Sequence, residues 1–194
     1  MAAPMLNLAA WVACTEMEGP GRRFAIWTQG CHLRCKECCN QSYLPLVPRE
    51  VVPALHLLPA ILEARDRQGV EGITLLGGEP MIQARGLSLL AQAVRESGMT
   101  VMMFTGYVLD SPAQALPDGA QDLLAACDIV VDGPFVAARR ERERNWVGST
   151  NQRFHYFTDA YDASIETDER YRNGIEVRFE ESGKLRVNGF PFLL

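Results

Sequence analysis

Short apolar runs alternate with amphipathic stretches through the first two-thirds of the chain. Leu8 to Cys14 reads as an opening strand, and Glu18-Gly19-Pro20-Gly21 as the tight turn that follows it. Phe24-Ala25-Ile26-Trp27 is a buried strand ended by Gly30. Pro45 and Pro48 punctuate a connection, after which a helix is predicted from Leu58 to Arg67. Pro59 suits its first turn, where the missing N–H is not needed, and Gly69 caps its far end. Ile73-Thr74-Leu75-Leu76 is the next strand. A helix from Gln83 to Glu96 then carries Leu87, Leu90, Ala91 and Val94 on one face and stops at Gly98. Thr100 to Thr105 is a strand, Gly119 to Ala126 a short helix, and Ile129-Val130-Val131 a further strand. Strands alternating with helices predict βα units around a parallel sheet; periodicity does not choose between a doubly wound sheet and part of a barrel.

The last third is patterned differently. Residues 137–145 are highly charged and read as a solvated helix face or loop. Ile175, Val177 and Phe179 alternate with Glu176, Arg178 and Glu180; Leu185 and Val187 alternate after Glu181-Ser182-Gly183-Lys184. That is a β-hairpin pattern. The apolar face is expected to bury against the end of the domain or to pair its free edge. Phe190-Pro191-Phe192 near the terminus is expected to be covered as well.

Composition narrows the class. With 194 residues, 47% hydrophobic and 22% charged, the chain is expected to form one domain with a real core. A net charge of −5 argues against nucleic acid, since phosphate binding needs a basic surface. No apolar run reaches the length of a membrane span, and Met1 to Leu8 lacks the features of a signal peptide. Four of the six cysteines crowd between positions 31 and 39. That is not a disulfide framework, and a reducing cytoplasm is the expected location.

Those cysteines carry the chemistry. Cys31, Cys35 and Cys38 are separated by three and then two residues, in a loop that leaves the end of a buried strand. Such spacing lets three thiolates converge on one side while backbone amides point at sulfur. An iron–sulfur cube normally takes four cysteines, so three would leave one iron open for another ligand. A zinc site would want a second cysteine pair, but Cys14 and Cys127 are single and distant. A thioredoxin-like site on Cys35 and Cys38 would leave Cys31 idle. Cys39 is close enough to be a fourth ligand, though vicinal cysteines rarely share one metal.

Three further strand ends are rich in glycine or polar residues: Gly77-Gly78-Glu79-Pro80, Phe104-Thr105-Gly106-Tyr107 and Val131-Asp132-Gly133-Pro134. Ligands of α/β proteins bind outside the carboxyl ends of strands. Glycines there let backbone approach a ligand closely. Each end alone is an ordinary turn; together with the cysteine loop they form the rim of one site.

At this point the residues resemble a known family. The cysteine spacing with Gly77-Gly78-Glu79-Pro80 is similar to the radical S-adenosylmethionine superfamily. Gly19-Pro20-Gly21, Asn40, Thr105-Gly106-Tyr107, Val131-Asp132-Gly133-Pro134-Phe135 and Gly148-Ser149-Thr150-Asn151-Gln152 resemble its branch that activates anaerobic ribonucleoside-triphosphate reductases. The resemblance spans about residues 6–158 and implies an α/β fold of the partial (βα) barrel type, with 159–194 as an extension rather than an independent domain. It implies a [4Fe–4S] cluster on Cys31, Cys35 and Cys38, and S-adenosylmethionine chelating the fourth iron. The cofactor site would comprise Asn40, Gly77, Gly78, Glu79, Pro80, Thr105, Gly106 and Asp132, with Gly77 to Glu79 meeting the methionine amino group. One-electron reduction would cleave the sulfonium to methionine and a 5′-deoxyadenosyl radical. The implied target is a glycine of a partner glycyl radical enzyme, and the electron donor an external flavodoxin or ferredoxin.

The chain departs from this pattern in places. Glu37 stands where an aromatic often precedes the third cysteine, Cys39 where the branch is often aromatic, and Val147 where it typically carries Arg. The residues after Thr158 exceed the smallest activators. Two other functions fit parts of the sequence. One is a radical enzyme that modifies a small molecule or peptide directly. The other is a non-catalytic iron–sulfur electron carrier or zinc scaffold, which would want a fourth well-spaced ligand.

Overall fold

The computed structural model describes residues 3–179, 183 and 185–190. Its centre is a seven-stranded mixed sheet. The strands are β1 (Met5–Thr15), β2 (Arg23–Thr28), β3 (Glu50–Pro53), β4 (Gly72–Gly77), β5 (Thr100–Phe104), β6 (Ile129–Asp132) and β7 (Arg153–Tyr156), in the order β3-β1-β2-β4-β5-β6-β7. β2, β4, β5 and β6 are parallel, while β1, β3 and β7 run antiparallel to their neighbours. All six residues of β2 are buried, as expected of a parallel strand covered on both faces.

Helices α1 (Leu58–Gln68), α2 (Ala84–Glu96) and α3 (Ala120–Ala125) return the chain between these strands. Pro59 sits in the first turn of α1, and Gly69 caps it in the left-handed conformation at φ +66°. The apolar stripe of α2, Leu87, Leu90, Ala91 and Val94, joins Ile61 of α1 and Leu123 of α3 in one cluster. It packs on Phe24, Ile26, Ile73, Leu75, Val101, Met103 and Val130. All three helices therefore pack into one core on one face of the sheet, unlike a doubly wound arrangement. The opposite face presents Ala25, Trp27 and Leu76 beside Tyr43 and Phe104. Farther along, Met102, Ile129 and Val131 are covered by Val147 and Ile165 of the later chain.

The sequence pattern did not predict β3 and β7. β3 is a four-residue edge strand, mostly exposed and ending in Pro53, which gives almost no hydrophobic alternation. The segment 137–145 is a loop, as expected, but not a fully solvated one. Arg144 is half-buried, bonding to Glu141 at 2.7 Å and to the Gln152 carbonyl at 3.1 Å, and Asn145 is buried.

β8 (Ile175–Phe179) and β9 (Leu185–Gly189) form the expected hairpin, with Val177 opposite Val187 and Phe179 opposite Leu185. It is a separate two-stranded sheet and pairs with neither edge of the larger one. Its apolar face is not buried as anticipated: Phe179 is 84% exposed and Val177 46%. Polar joints to the β1–β2 turn hold the hairpin instead. Glu180, Glu181, Ser182, Lys184, Pro191 and Phe192 of that expectation lie outside the described residues.

Candidate active site

The four parallel strands end side by side, and their outgoing loops meet over the helix-free face. The loop after β2 carries the cysteines. Its start is pinned by the Gly30 amide to the Tyr43 carbonyl at 2.8 Å and the Cys31 amide to the Leu44 carbonyl at 3.0 Å. Arg34 (φ +49°) and Glu37 (φ +60°) adopt the left-handed conformation between the cysteines, as a tight loop aiming several thiols inward requires. His32 packs edge-on against Tyr107, ring centroids 5.5 Å apart, tying this loop to the one after β5.

Cys31 is buried, Cys35 and Cys38 are half-buried, and all three line one cavity of about 1100 Å³. Backbone amides of Leu33 and Arg34 hydrogen-bond to Cys31, that of Phe135 to Cys35, and that of Asn40 to Cys38. Burial pushes the Cys31 and Cys35 thiols up. A hydrogen bond from Cys39 draws Cys38 down to about 6 and pushes Cys39 up. Among the described residues no three His, Cys, Asp or Glu side chains gather around one point closely enough for a single metal ion. A four-iron cube needs less convergence, since each thiolate takes its own corner. Three thiols on a shared cavity wall, each met by backbone amides, fit such a cluster.

The loop after β4 is locked to the cysteine loop by backbone. The Gly78 amide donates to the Thr28 carbonyl at 2.7 Å and the Glu79 amide to the Gly30 carbonyl at 2.8 Å. Gly77 has φ +116°, open to glycine, and its carbonyl accepts from Asn40 Nδ2 at 3.2 Å. Glycine at 78 has a packing reason the sequence did not disclose: its missing Cβ leaves room for the Gly30 backbone.

Glu79 is 1% exposed. Its Oε1 accepts from the Thr105 hydroxyl at 2.7 Å and the Met81 amide at 2.9 Å, and its Oε2 from the Gly106 amide at 2.8 Å. Burial raises its pKa against the pull of these donors. The Glu79 carboxyl group is thus occupied in joining the β4 and β5 loops. Leu33 of the cysteine loop packs against Gly106, its Cδ1 2.4 Å from the position of an ideal Cβ, so a side chain there would push Leu33 aside.

Asn40, Gly77, Gly78, Glu79, Thr105 and Gly106 line the cavity with the three thiols, but Pro80 and Asp132 do not. Pro80 is buried at the start of the turn into α2. Asp132 is fully buried and turned away. It accepts from the Leu109 amide at 2.8 Å and from Arg153 Nη2 at 2.9 Å, and His155 Nε2 lies 3.1 Å away. Burial works against its carboxylate, but the Arg153 and Leu109 hydrogen bonds prevail and lower its pKa. Asp132 braces β7 and the β5 loop.

The sequence did not disclose the structural roles of several contributors. Phe135 supplies an amide to Cys35, and Trp27, Leu76 and Phe104 make an apolar floor. Gly148 to Gln152 is a staple for the β6 loop: Asn151 Nδ2 donates to the Pro134 carbonyl at 2.8 Å, and Gln152 Nε2 to the Gly133 carbonyl at 3.3 Å. Val147 is buried in the core beside Val131. Glu37 pairs with Arg140 at 3.4 Å, linking the cysteine loop to the charged segment.

A one-sided α/β scaffold with three thiols and a glycine-rich strand end in one cavity defines an iron–sulfur enzyme that keeps space for a second cofactor. A family described as a 4Fe-4S single cluster domain matches residues 17–155. An anaerobic ribonucleoside-triphosphate reductase-activating protein from Vibrio cholerae is 33% identical over 159 residues, covering 79% of this chain and 99% of its own. The protein of the same name from Haemophilus influenzae is 26% identical over 159 residues, covering 78% and 99%. The solved structure of QueE from Escherichia coli aligns with 64% of this chain and 68% of its own, at 16% identity and a TM-score of 0.37. The chain belongs to the family of anaerobic ribonucleoside-triphosphate reductase-activating proteins, radical S-adenosylmethionine enzymes whose cofactors are a [4Fe–4S] cluster and S-adenosylmethionine. No helix among the described residues is long and apolar enough to cross a membrane.

Proposed function

We propose that this protein installs a glycyl radical on a partner enzyme. The observation that carries the reading is the shared cavity of Cys31, Cys35 and Cys38 with Gly77, Gly78 and Gly106, in a chain of the activator family. Cys31, Cys35 and Cys38 would hold the cluster, with the Leu33, Arg34, Phe135 and Asn40 amides stabilising charge on sulfur. When bound, the cluster and S-adenosylmethionine supply the one-electron chemistry that ends in hydrogen-atom abstraction from a glycine of the target.

This chain's residues supply position and dryness. The Gly77 and Gly78 backbone would offer carbonyls to the cofactor's ammonium group, held in register by Asn40 and by the bonds to Thr28 and Gly30. Glu79 fixes Thr105 and Gly106 on the adjoining wall. Trp27, Leu76 and Phe104 keep water from the floor, which protects a reactive carbon centre from side reactions. In this reading the sheet is a partial (βα) barrel with its inner face toward the cofactor. Residues 1–158 form the catalytic unit and 159–194 an extension of it. A flavodoxin or ferredoxin delivers the electron.

The test is anaerobic reconstitution. The protein should take up about four irons, and Cys31→Ala, Cys35→Ala or Cys38→Ala should each abolish the cluster. Reduced holoenzyme should form 5′-deoxyadenosine and methionine without a partner, and should raise a glycyl-radical resonance on an anaerobic reductase. Absence of 5′-deoxyadenosine under strong reduction would defeat the reading.

A further inference from the structure

The cavity, about 1100 Å³, extends beyond the residues that would hold the cluster and the cofactor. Its far side is made by the C-terminal hairpin: Arg178, Leu185, Val187 and Asn188 line the same space as Cys31, Cys35 and Cys38. The hairpin lies beyond the stretch 17–155 matched to the family.

The hairpin is also seated, not merely adjacent. Glu18, 8% exposed, accepts from the Gly189 amide at 2.7 Å and from Asn188 Nδ2 at 3.3 Å. Asn188 Nδ2 also donates to the Thr15 hydroxyl at 3.0 Å, and Arg178 Nη2 to the Cys14 carbonyl at 2.7 Å. Glu176 Oε1 accepts from the Glu16 amide at 3.1 Å. Gly189, at φ +108°, has no room for a side chain: an ideal Cβ would lie 2.3 Å from the Gly174 carbonyl oxygen and 3.1 Å from Met17 Cβ. A buried carboxyl group accepting from a backbone amide in a glycine-tight joint is a fixed attachment.

We infer that the C-terminal hairpin is the outer wall of the reaction cavity and a determinant of what enters it. It screens what enters by size. That it screens a substrate rests on the proposed reaction, but the wall itself does not. Cys14 lines the cavity beside Arg178 and serves as a ruler.

In cluster-loaded full-length protein, Cys14 alkylation by iodoacetamide and by a polyethylene-glycol maleimide would be followed by peptide mass spectrometry. The ratio of the two rates, referred to the same ratio in denaturant, cancels the intrinsic reactivity of the thiol. The wall predicts that native protein disfavours the bulky reagent by about tenfold or more. Gly189→Val, or the pair Glu18→Ala with Asn188→Ala, should reduce that discrimination at least severalfold with iron content retained. Glu18→Gln, which keeps an acceptor for Gly189, should preserve it. Equal discrimination in native and denatured protein, or in wild type and both detached variants, would overturn the inference. Wild type that discriminates by size yet cleaves no S-adenosylmethionine would refute the proposed reaction and leave the wall standing.

Discussion

A Cβ placed on Gly78 would lie 2.2 Å from the carbonyl oxygen of Gly30. The nearest atoms after that, Gly30 C at 2.7 Å and Tyr43 O at 2.9 Å, are also backbone and cannot swing aside. The glycine-rich strand end and the cysteine loop are thus one packed unit, closed by the Glu79 amide on the same Gly30 oxygen. Gly78→Ala should therefore disturb the cluster as well as the cofactor. We expect iron content after reconstitution to fall severalfold, with a stability loss of ~1–3 kcal/mol. Normal iron in this variant, with only S-adenosylmethionine affinity reduced, would show that the glycine serves the ligand alone.

Glu79 offers a separable test of positioning. In Glu79→Gln one carboxylate oxygen becomes an amide nitrogen, facing either the Gly106 amide or the Thr105 and Met81 donors. Leaving a buried donor unmatched costs ~1–3 kcal/mol. We expect roughly tenfold weaker S-adenosylmethionine binding, measured by equilibrium dialysis on the oxidised holoenzyme, at unchanged iron content. Unaltered affinity would mean that the joint between the β4 and β5 loops does not shape the cofactor wall.

Asp132 should behave in the opposite way. Removing a buried carboxylate that faces Arg153 leaves that guanidinium without its counter-charge. Asp132→Ala should cost ~3 kcal/mol or less, since Arg153 is half-exposed and solvent shares its charge. Cofactor affinity of the folded variant should stay within about twofold, because Asp132 does not line the cavity. A tenfold affinity loss would show that Asp132 serves the cofactor site.

How far the sequence reached follows from what each signal reports. The parallel strands were legible because burial on both faces makes continuous apolar runs, as in Phe24 to Trp27. β3 was not legible, because a short exposed edge strand has no inward face to mark it. The cysteines were legible by spacing and type. Glu79 and Asp132 were named as ligand contacts by motif, yet both carboxylates are committed to neighbours brought close only by tertiary folding. The hairpin pattern predicted pairing correctly and burial wrongly. Alternation reports two faces but not whether either meets a partner, and here Glu18, Asn188 and Arg178 do the docking.

Cys39 is a fourth thiol on the cavity wall, hydrogen-bonded to Cys38. Adjacent residues on one loop cannot readily bring both sulfurs to separate corners of one cube while Cys31 and Cys35 hold theirs. Cys39→Ala should therefore keep about four irons and the electronic spectrum of wild type. Loss of the cluster in Cys39→Ala, or its retention in Cys35→Ala, would reassign the ligands.

The joint of the hairpin should also be visible in stability against pH. Burial raises the Glu18 pKa to about 7 from an ordinary 4.5; the hydrogen bonds from Gly189 and Asn188 and the nearby Arg178 pull it down, and the charge of Glu176 pushes it up. A carboxyl whose folded pKa lies above its unfolded value binds more protons when folded. Its contribution is fully present below about 4.5 and is lost as pH rises through about 7. The whole effect is on the order of 3 kcal/mol, and Glu18→Gln, neutral throughout, should remove it. Denaturant unfolding of cluster-free wild type and Glu18→Gln, taken from pH 5 to pH 8, isolates this one group, because every other titration is common to both proteins. The wild type should lose stability relative to the variant as pH rises, with the steepest change near pH 6. A difference that stays flat, or that grows in favour of wild type at high pH, would mean that Glu18 is ionised in the joint and that Arg178 outweighs its burial.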